Sequence, residues 1–155
     1  MKNKVFGKLV FYSIKLEILI FLNLTFFLFK KNLRVKKEGG FYLVYSGSYK
    51  IYFYLLQRVD LYLKGIDFRF KNLFNEYFLD LIDFEEGDNI IDCGAHLGEL
   101  IYYFKDTKIN YFAFEPSAKL CNCIKKNISL NHNNYLSYKV VNKALLDIED
   151  KVSIY

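Results

Sequence analysis

Tryptophan is absent from this 155-residue chain, and proline and methionine occur once each. Cysteine is scarce. Cys93, Cys121 and Cys123 are odd in number and form no stapling pattern, which argues against a disulfide framework and for a reducing compartment. Cys121-x-Cys123 is too close for the two-residue spacing of zinc pairs, and no second pair completes a site, so no metal is expected. Both are read as ordinary residues of one helix. Histidine occurs twice. His132 stands in the run Asn131-His132-Asn133-Asn134 with no evident partner, and His96 reads first as a polar loop residue rather than a base. Long uninterrupted apolar runs are also missing. From Leu9 to Phe29 the chain is strongly apolar and near the roughly 20 residues that span a bilayer. Lys15 and Glu17 interrupt that stretch, and Asn23 and Thr25 break up the rest. Its charge-free part, Ile18 to Phe29, is 12 residues long. No small-residue cleavage site follows, which argues against a secretory signal.

Aromatic and aliphatic side chains are plentiful. Sixteen Phe and fourteen Tyr accompany abundant Lys, Asn and Ile, and hydrophobic residues make up 53% of the chain, ample for a core. The plain reading of the aromatics is a compositional bias of the coding sequence; an aromatic binding surface is the alternative. The length suits one domain, or one domain with an N-terminal appendage. The net charge of +5 is divided unevenly. Residues 1–75 hold 14 Lys/Arg against 4 Asp/Glu (+10), and residues 76–155 hold 8 against 13 (−5). Such asymmetry suggests two functional zones. The basic front suits anionic lipid, phosphorylated sugar or nucleic acid, with a solvated face lacking any partner as the plain alternative.

Three segments are expected. Residues 1–40 form an apolar, basic N-terminal helix and a linker, Lys36-Lys37-Glu38-Gly39-Gly40. Three placements stay open for the helix: packed on the domain, lying in a membrane interface with lysines reaching the headgroups, or spanning the bilayer. Any peripheral membrane contact would run through residues 9–31, and the expected compartment is otherwise the cytoplasm. Residues 41–75 form an extension in which Phe41 to Tyr45 and Tyr49 to Tyr54 make a hairpin around Ser46-Gly47-Ser48. Val59 to Leu63 fits either a strand or a helix. Residues 76–155 form the third segment. At its border Leu73, Tyr77, Phe78, Leu81 and Ile82 recur at spacings of three and four, which predicts an amphipathic helix ending near Asp83. A strand at Ile90-Ile91, a helix from about Leu97 to Lys105 and a strand from Tyr111 to Phe114 come next. A helix then runs from Pro116 or Ser117 to about Ser129, followed by a strand from Tyr138 to Asn142 and a further segment beginning at Val152. Strands alternating with helices imply right-handed crossovers, a parallel sheet and an α/β fold.

The chemistry gathers where strands end. Ile90-Ile91-Asp92-Cys93-Gly94-Ala95-His96-Leu97-Gly98 is an apolar run that ends in an acid and turns through two glycines. Phe112-Ala113-Phe114-Glu115-Pro116 ends in a second acid, 23 residues after the first. Such a pattern suits a nucleotide-like ligand at the carboxyl ends of neighbouring parallel strands. Asp92 suits the ammonium of a bound aminoacyl group. Gly94 lets the backbone approach a ligand, and Gly98 lets the next helix pack on the sheet. That helix would turn free amides and a positive dipole end toward a ligand carboxylate. Glu115 suits both hydroxyls of a ribose, and Pro116 stiffens the turn beneath it. Asn142, Ala144 and Leu145, leaving the third strand, suit an adenine pocket. Plainer readings stand beside these: Asp92 as a helix cap, Gly94 and Gly98 as turn residues, Glu115 as a solvated loop acid. Order and co-occurrence favour the joint reading. A dinucleotide site is the nearest competitor, but its fingerprint is Gly-x-Gly-x-x-Gly. Here the spacing is Gly94-x-x-x-Gly98 with an acid in front, which favours S-adenosylmethionine.

These residues resemble the FkbM-type methyltransferases. The family's glycine motif, Ile-Asp-x-Gly-Ala-Asn-x-Gly, is matched by Ile91 to Gly98 with His96 in place of the common Asn. Its Ala-Phe-Glu-Pro motif is matched intact at Ala113 to Pro116. Lys125-Lys126-Asn127-Ile128-x-Leu130-Asn131 and Asn142-Lys143-Ala144-Leu145-Leu146-Asp147 resemble segments further along, and Glu76-Tyr77 stands where such proteins often place a lid-like approach. The likeness covers residues 65–155 and is weak over residues 1–60. It implies a Rossmann-like class I methyltransferase domain that binds S-adenosylmethionine through Asp92, Gly94, Ala95, His96, Gly98, Glu115, Pro116, Asn142 and Ala144. Methyl would pass to a hydroxyl of a carbohydrate or secondary metabolite, with no nucleic acid partner. The family's later Asp-x-Glu-Gly strand has no counterpart here, so an incomplete fold is expected, with an exposed apolar edge on the first strand unless the N-terminal strands cover it. A truncated product or a complementing chain follows from that expectation, with an inactive ligand-binding or membrane-associated fragment as the alternative.

Overall fold

The computed structural model describes residues 17–24, 27, 33–131 and 135–146. The chain divides into two compact units between Asn72 and Leu73, and each contains a three-stranded sheet.

In the first unit residues 17–24 are helical. Strands β1 (Arg34–Glu38), β2 (Phe41–Ser46) and β3 (Tyr49–Phe53) then form an antiparallel meander in that order. Its two reversals rest on Gly39 and Gly47, both at φ 59, a left-handed conformation that glycine enters at little cost. The stretch read as a linker is therefore a strand and a turn: Lys36, Lys37 and Glu38 lie opposite Leu43, Tyr42 and Phe41. Its charges belong to an edge strand, where they discourage further pairing. The expected hairpin is present, ending at Phe53. Register places Val35, Val44 and Ile51 side by side, with Tyr42 beside Phe53, and all five are buried. Leu56–Tyr62 is a 3-10 helix, which resolves the ambiguous stretch as helical. Tyr62 stacks edge-on against Phe53 at 4.9 Å and Phe70 at 6.4 Å. These three aromatic rings pack in the core of the unit.

The division between units falls within α1 (Ile66–Glu76). Ile66, Phe70 and Leu73, at helical spacing, are its buried side chains. The helix expected to run on to Asp83 stops earlier. Its last amides, of Tyr77 and Phe78, donate to Leu73 O and Asn75 O, and Phe78 takes a left-handed φ of 53. Only a 3-10 turn, Leu79–Leu81, follows. Tyr77, Phe78, Leu81 and Ile82 are exposed; the periodicity that selects the buried face begins at Ile66.

The second unit holds a parallel sheet of β4 (Asn89–Cys93), β5 (Ile109–Phe114) and β6 (Tyr135–Val141), in the order β4-β5-β6. With α2 (Ala118–Leu130) crossing from β5 to β6, the architecture is α/β. Ser117 caps α2, its Oγ accepting from Leu120 N–H. Cys121 and Cys123 lie on this one helix, as expected; both are buried, and burial pushes the Cys123 thiol up to about 12. The helix expected over Leu97 to Lys105 is reduced to a 3-10 helix, Glu99–Tyr102. Ring packing fixes the tight turns that replace it: Tyr103 meets Phe74 at 5.1 Å and Phe104 meets Phe84 at 4.9 Å. The N-terminal strands form their own sheet and leave the outer edge of β4 without a partner strand among the described residues. Ile91 on that strand is 61% exposed. The segment expected from Val152, the turn residues 132–134 and much of the stretch 9–31 lie outside the described residues. Among the described residues no helix is long and apolar enough to cross a membrane.

Candidate functional site

Parallel pairing aligns the carboxyl ends of three strands. Asp92 stands level with Ala113 and Val140, and Cys93 with Phe114 and Val141. Asp92 is thus the penultimate residue of β4, Glu115 follows β5 and Asn142 follows β6. The glycine turn, Gly94 to Gly98, leaves from the same end of β4. Ala144 and Leu145 continue the exit from β6, half-buried and exposed respectively.

Glu115 is buried and organises the loops around it. Its Oε2 accepts the His96 N–H at 3.0 Å, and its Oε1 accepts the Ser117 N–H at 2.8 Å. One carboxylate thereby ties the β4 exit to the β5 exit. A carboxylate offers about four acceptor positions, so each oxygen keeps one for a further donor. The β5 exit is also held from outside. Asn142 Nδ2 donates to Glu115 O at 3.0 Å and Pro116 O at 2.8 Å, and Cys121 Sγ donates to Glu115 O. The amide of Asn142 thus serves the backbone under Glu115.

Asp92 has a harsher setting. It is buried, and burial pushes its carboxyl above the ordinary carboxylate range. The hydroxyl of buried Tyr111 donates to Asp92 Oδ2 and opposes that push, while Glu99 and Glu115 add to it by charge repulsion. Tyr111 is driven well above its own ordinary value, by burial first and then by Asp92. Among the described residues no lysine or arginine pairs with Asp92 or Glu115. Glu99, also buried, faces His96 Nδ1 at 3.8 Å.

The glycine turn departs from expectation in one respect. Gly94 N–H and Ala95 N–H both donate to Phe114 O, and His96 N–H is taken by Glu115. The helix that follows is a four-residue 3-10 helix, Glu99–Tyr102, in place of the longer one expected to turn amides and a dipole towards a ligand carboxylate. The two glycines keep distinct roles. A Cβ on Gly94 would meet no atom within 4 Å, so that side of the backbone is open. A Cβ on Gly98 would lie 3.2 Å from Ile124 Cγ2, so Gly98 admits α2 rather than the element that directly follows it. Both glycines take positive φ, 74 and 72, and so does His96, at 50. Histidine is among the side chains that enter this region most readily.

Three contributors were given no role from the sequence. Tyr111 and Glu99 read as members of ordinary strand and helix patterns. Asn127 is fully buried on α2, and its Nδ2 donates to Leu97 O at 2.8 Å, pinning the glycine turn. A polar residue set within the apolar stripe of Cys121, Ile124 and Ile128 was its available signal. Comparison with protein-family models, with curated proteins and with solved structures found no match to this chain.

Proposed function

We propose that the second unit is a Rossmann-like, S-adenosylmethionine-binding domain of a methyltransferase acting on a hydroxyl of a carbohydrate or other small molecule. The observation that carries this reading is the pair of buried carboxylates at adjacent parallel strand ends, Asp92 and Glu115, beside open backbone at Gly94. The buried acids lack a cationic partner from the described chain, and such a site favours a ligand that brings its own positive charge. S-adenosylmethionine carries an ammonium and a sulfonium, and when bound it supplies a methyl group open to attack by an acceptor oxygen. Asp92 would hold the ammonium, and the ligand's charge would return the carboxyl toward its ionised form. The free acceptor positions of Glu115 suit the two ribose hydroxyls, while its backbone bonds keep it from turning away. Ala144 and Leu145 would flank the base. Positioning and electrostatics are what these residues would contribute to transfer.

Glu115→Gln tests the reading with modest disturbance, because one amide-accepting oxygen survives. Calorimetry should show the affinity for S-adenosylhomocysteine falling about tenfold or more, equivalent to about 1.4 kcal/mol, while the variant still melts cooperatively. Unchanged affinity would remove Glu115 from the site.

A further inference from the structure

The helical stretch of the first unit presents an apolar surface outward. Its inner side is fixed by a polar residue. Asn23 Nδ2 donates to Val35 O at 2.8 Å, and Asn23 Oδ1 accepts the Val35 N–H at 2.9 Å. This side-chain amide pairs with β1 as the peptide of a neighbouring strand would, and a further bond to Leu19 O at 2.9 Å holds it in place. The helix therefore cannot roll to hide its other side. Leu19, Leu22 and Asn23 are half-buried, whereas Ile20, Leu24 and Phe27, three or four residues apart, are 60%, 52% and 65% exposed. A helix packed on a soluble domain ordinarily turns charge to this side.

Charge indicates what covers the stripe. Lys2, Lys4, Lys8 and Lys15 precede it in sequence, Lys30, Lys31 and Arg34 follow it, and Glu17 is the one acid among the first 37 residues. A second copy of the chain would bury the stripe only by bringing two strongly basic segments together. An anionic lipid surface accepts the apolar side chains and the flanking cations at once. We propose that helical residues 17–24, with Phe27, lay this stripe into the interface of an anionic membrane, with the lysines that bracket it in sequence on its headgroups. Binding is peripheral, and it is independent of any cofactor in the second unit.

Co-sedimentation of the full chain with phosphatidylcholine vesicles, with and without phosphatidylserine, tests this. Partition onto the anionic vesicles should exceed partition onto the neutral ones by about tenfold or more and should weaken with salt. Leu24→Ser with Phe27→Ser should reduce anionic partition by about tenfold or more at an unchanged circular dichroism spectrum. Lys30→Glu with Lys31→Glu leaves the stripe intact and should abolish the preference for anionic vesicles. Partition that is absent, or equal for the wild type and both variants, overturns the proposal. So does concentration-dependent dimerisation that the serine variant abolishes without any vesicle binding.

Discussion

Asp92 occupies a place where a carboxylate ionises reluctantly: buried, near Glu99 and Glu115, with one tyrosine hydroxyl in support. Its folded-state value lies above the unfolded value of about 3.8, so the native protein holds a proton that the unfolded chain releases. The resulting stability is present at low pH and is lost as pH rises from the unfolded value through the folded one. Asp92→Asn should therefore make the ligand-free protein more stable at neutral pH, and its melting temperature should fall less than the wild type's as pH rises from the ordinary carboxylate range towards neutral. The same change should weaken S-adenosylhomocysteine binding, the usual conflict between stability and a charged site. A wild-type melting curve insensitive to pH in that window would contradict the account. Asp92, Gly94, Gly98 and Glu115 were legible because acids and glycines at strand ends have few plain uses in combination. Tyr111 was not, since a tyrosine inside an apolar strand looks like core until its hydroxyl is seen to meet Asp92.

At the scale of elements, the strands were easier to read than the helices. Alternation along β2, β3 and β5 follows from one buried face, so a short window contains the signal. The two misplaced helices failed for tertiary reasons. Beyond Gly98 the aromatic contacts of Tyr103 and Phe104 select tight turns over a longer helix. At the end of α1 the apolar spacing continues past the point where the backbone leaves the helix, and Phe78 takes the left-handed conformation there. An exposed phenylalanine in that conformation costs about 1–2 kcal/mol, partly offset in glycine by its greater freedom when unfolded. Phe78→Gly should accordingly stabilise the protein by up to about 1 kcal/mol, read as a higher urea midpoint at an unchanged slope. A lower midpoint would show that the ring, rather than the turn, matters at this position.

Over the whole molecule, the charge division in the sequence foreshadows a division of labour. A basic first unit carries an outward apolar stripe, and an acidic second unit carries buried carboxylates at the ends of a parallel sheet. The α/β class was legible from alternating strand and helix signals. The first strand, β1, was not, because charges on Lys36 and Lys37 hid an edge strand inside what looked like a linker. The central claim is that the acid-lined strand ends select a nucleoside bearing an amino-acid ammonium over a dinucleotide. It is tested most directly by calorimetric titration of the full chain with S-adenosylhomocysteine and NAD side by side. The account predicts saturable one-to-one binding of S-adenosylhomocysteine, lost in Asp92→Asn, and no heat of binding for NAD. Binding of NAD with an affinity equal to or greater than that for S-adenosylhomocysteine would contradict it.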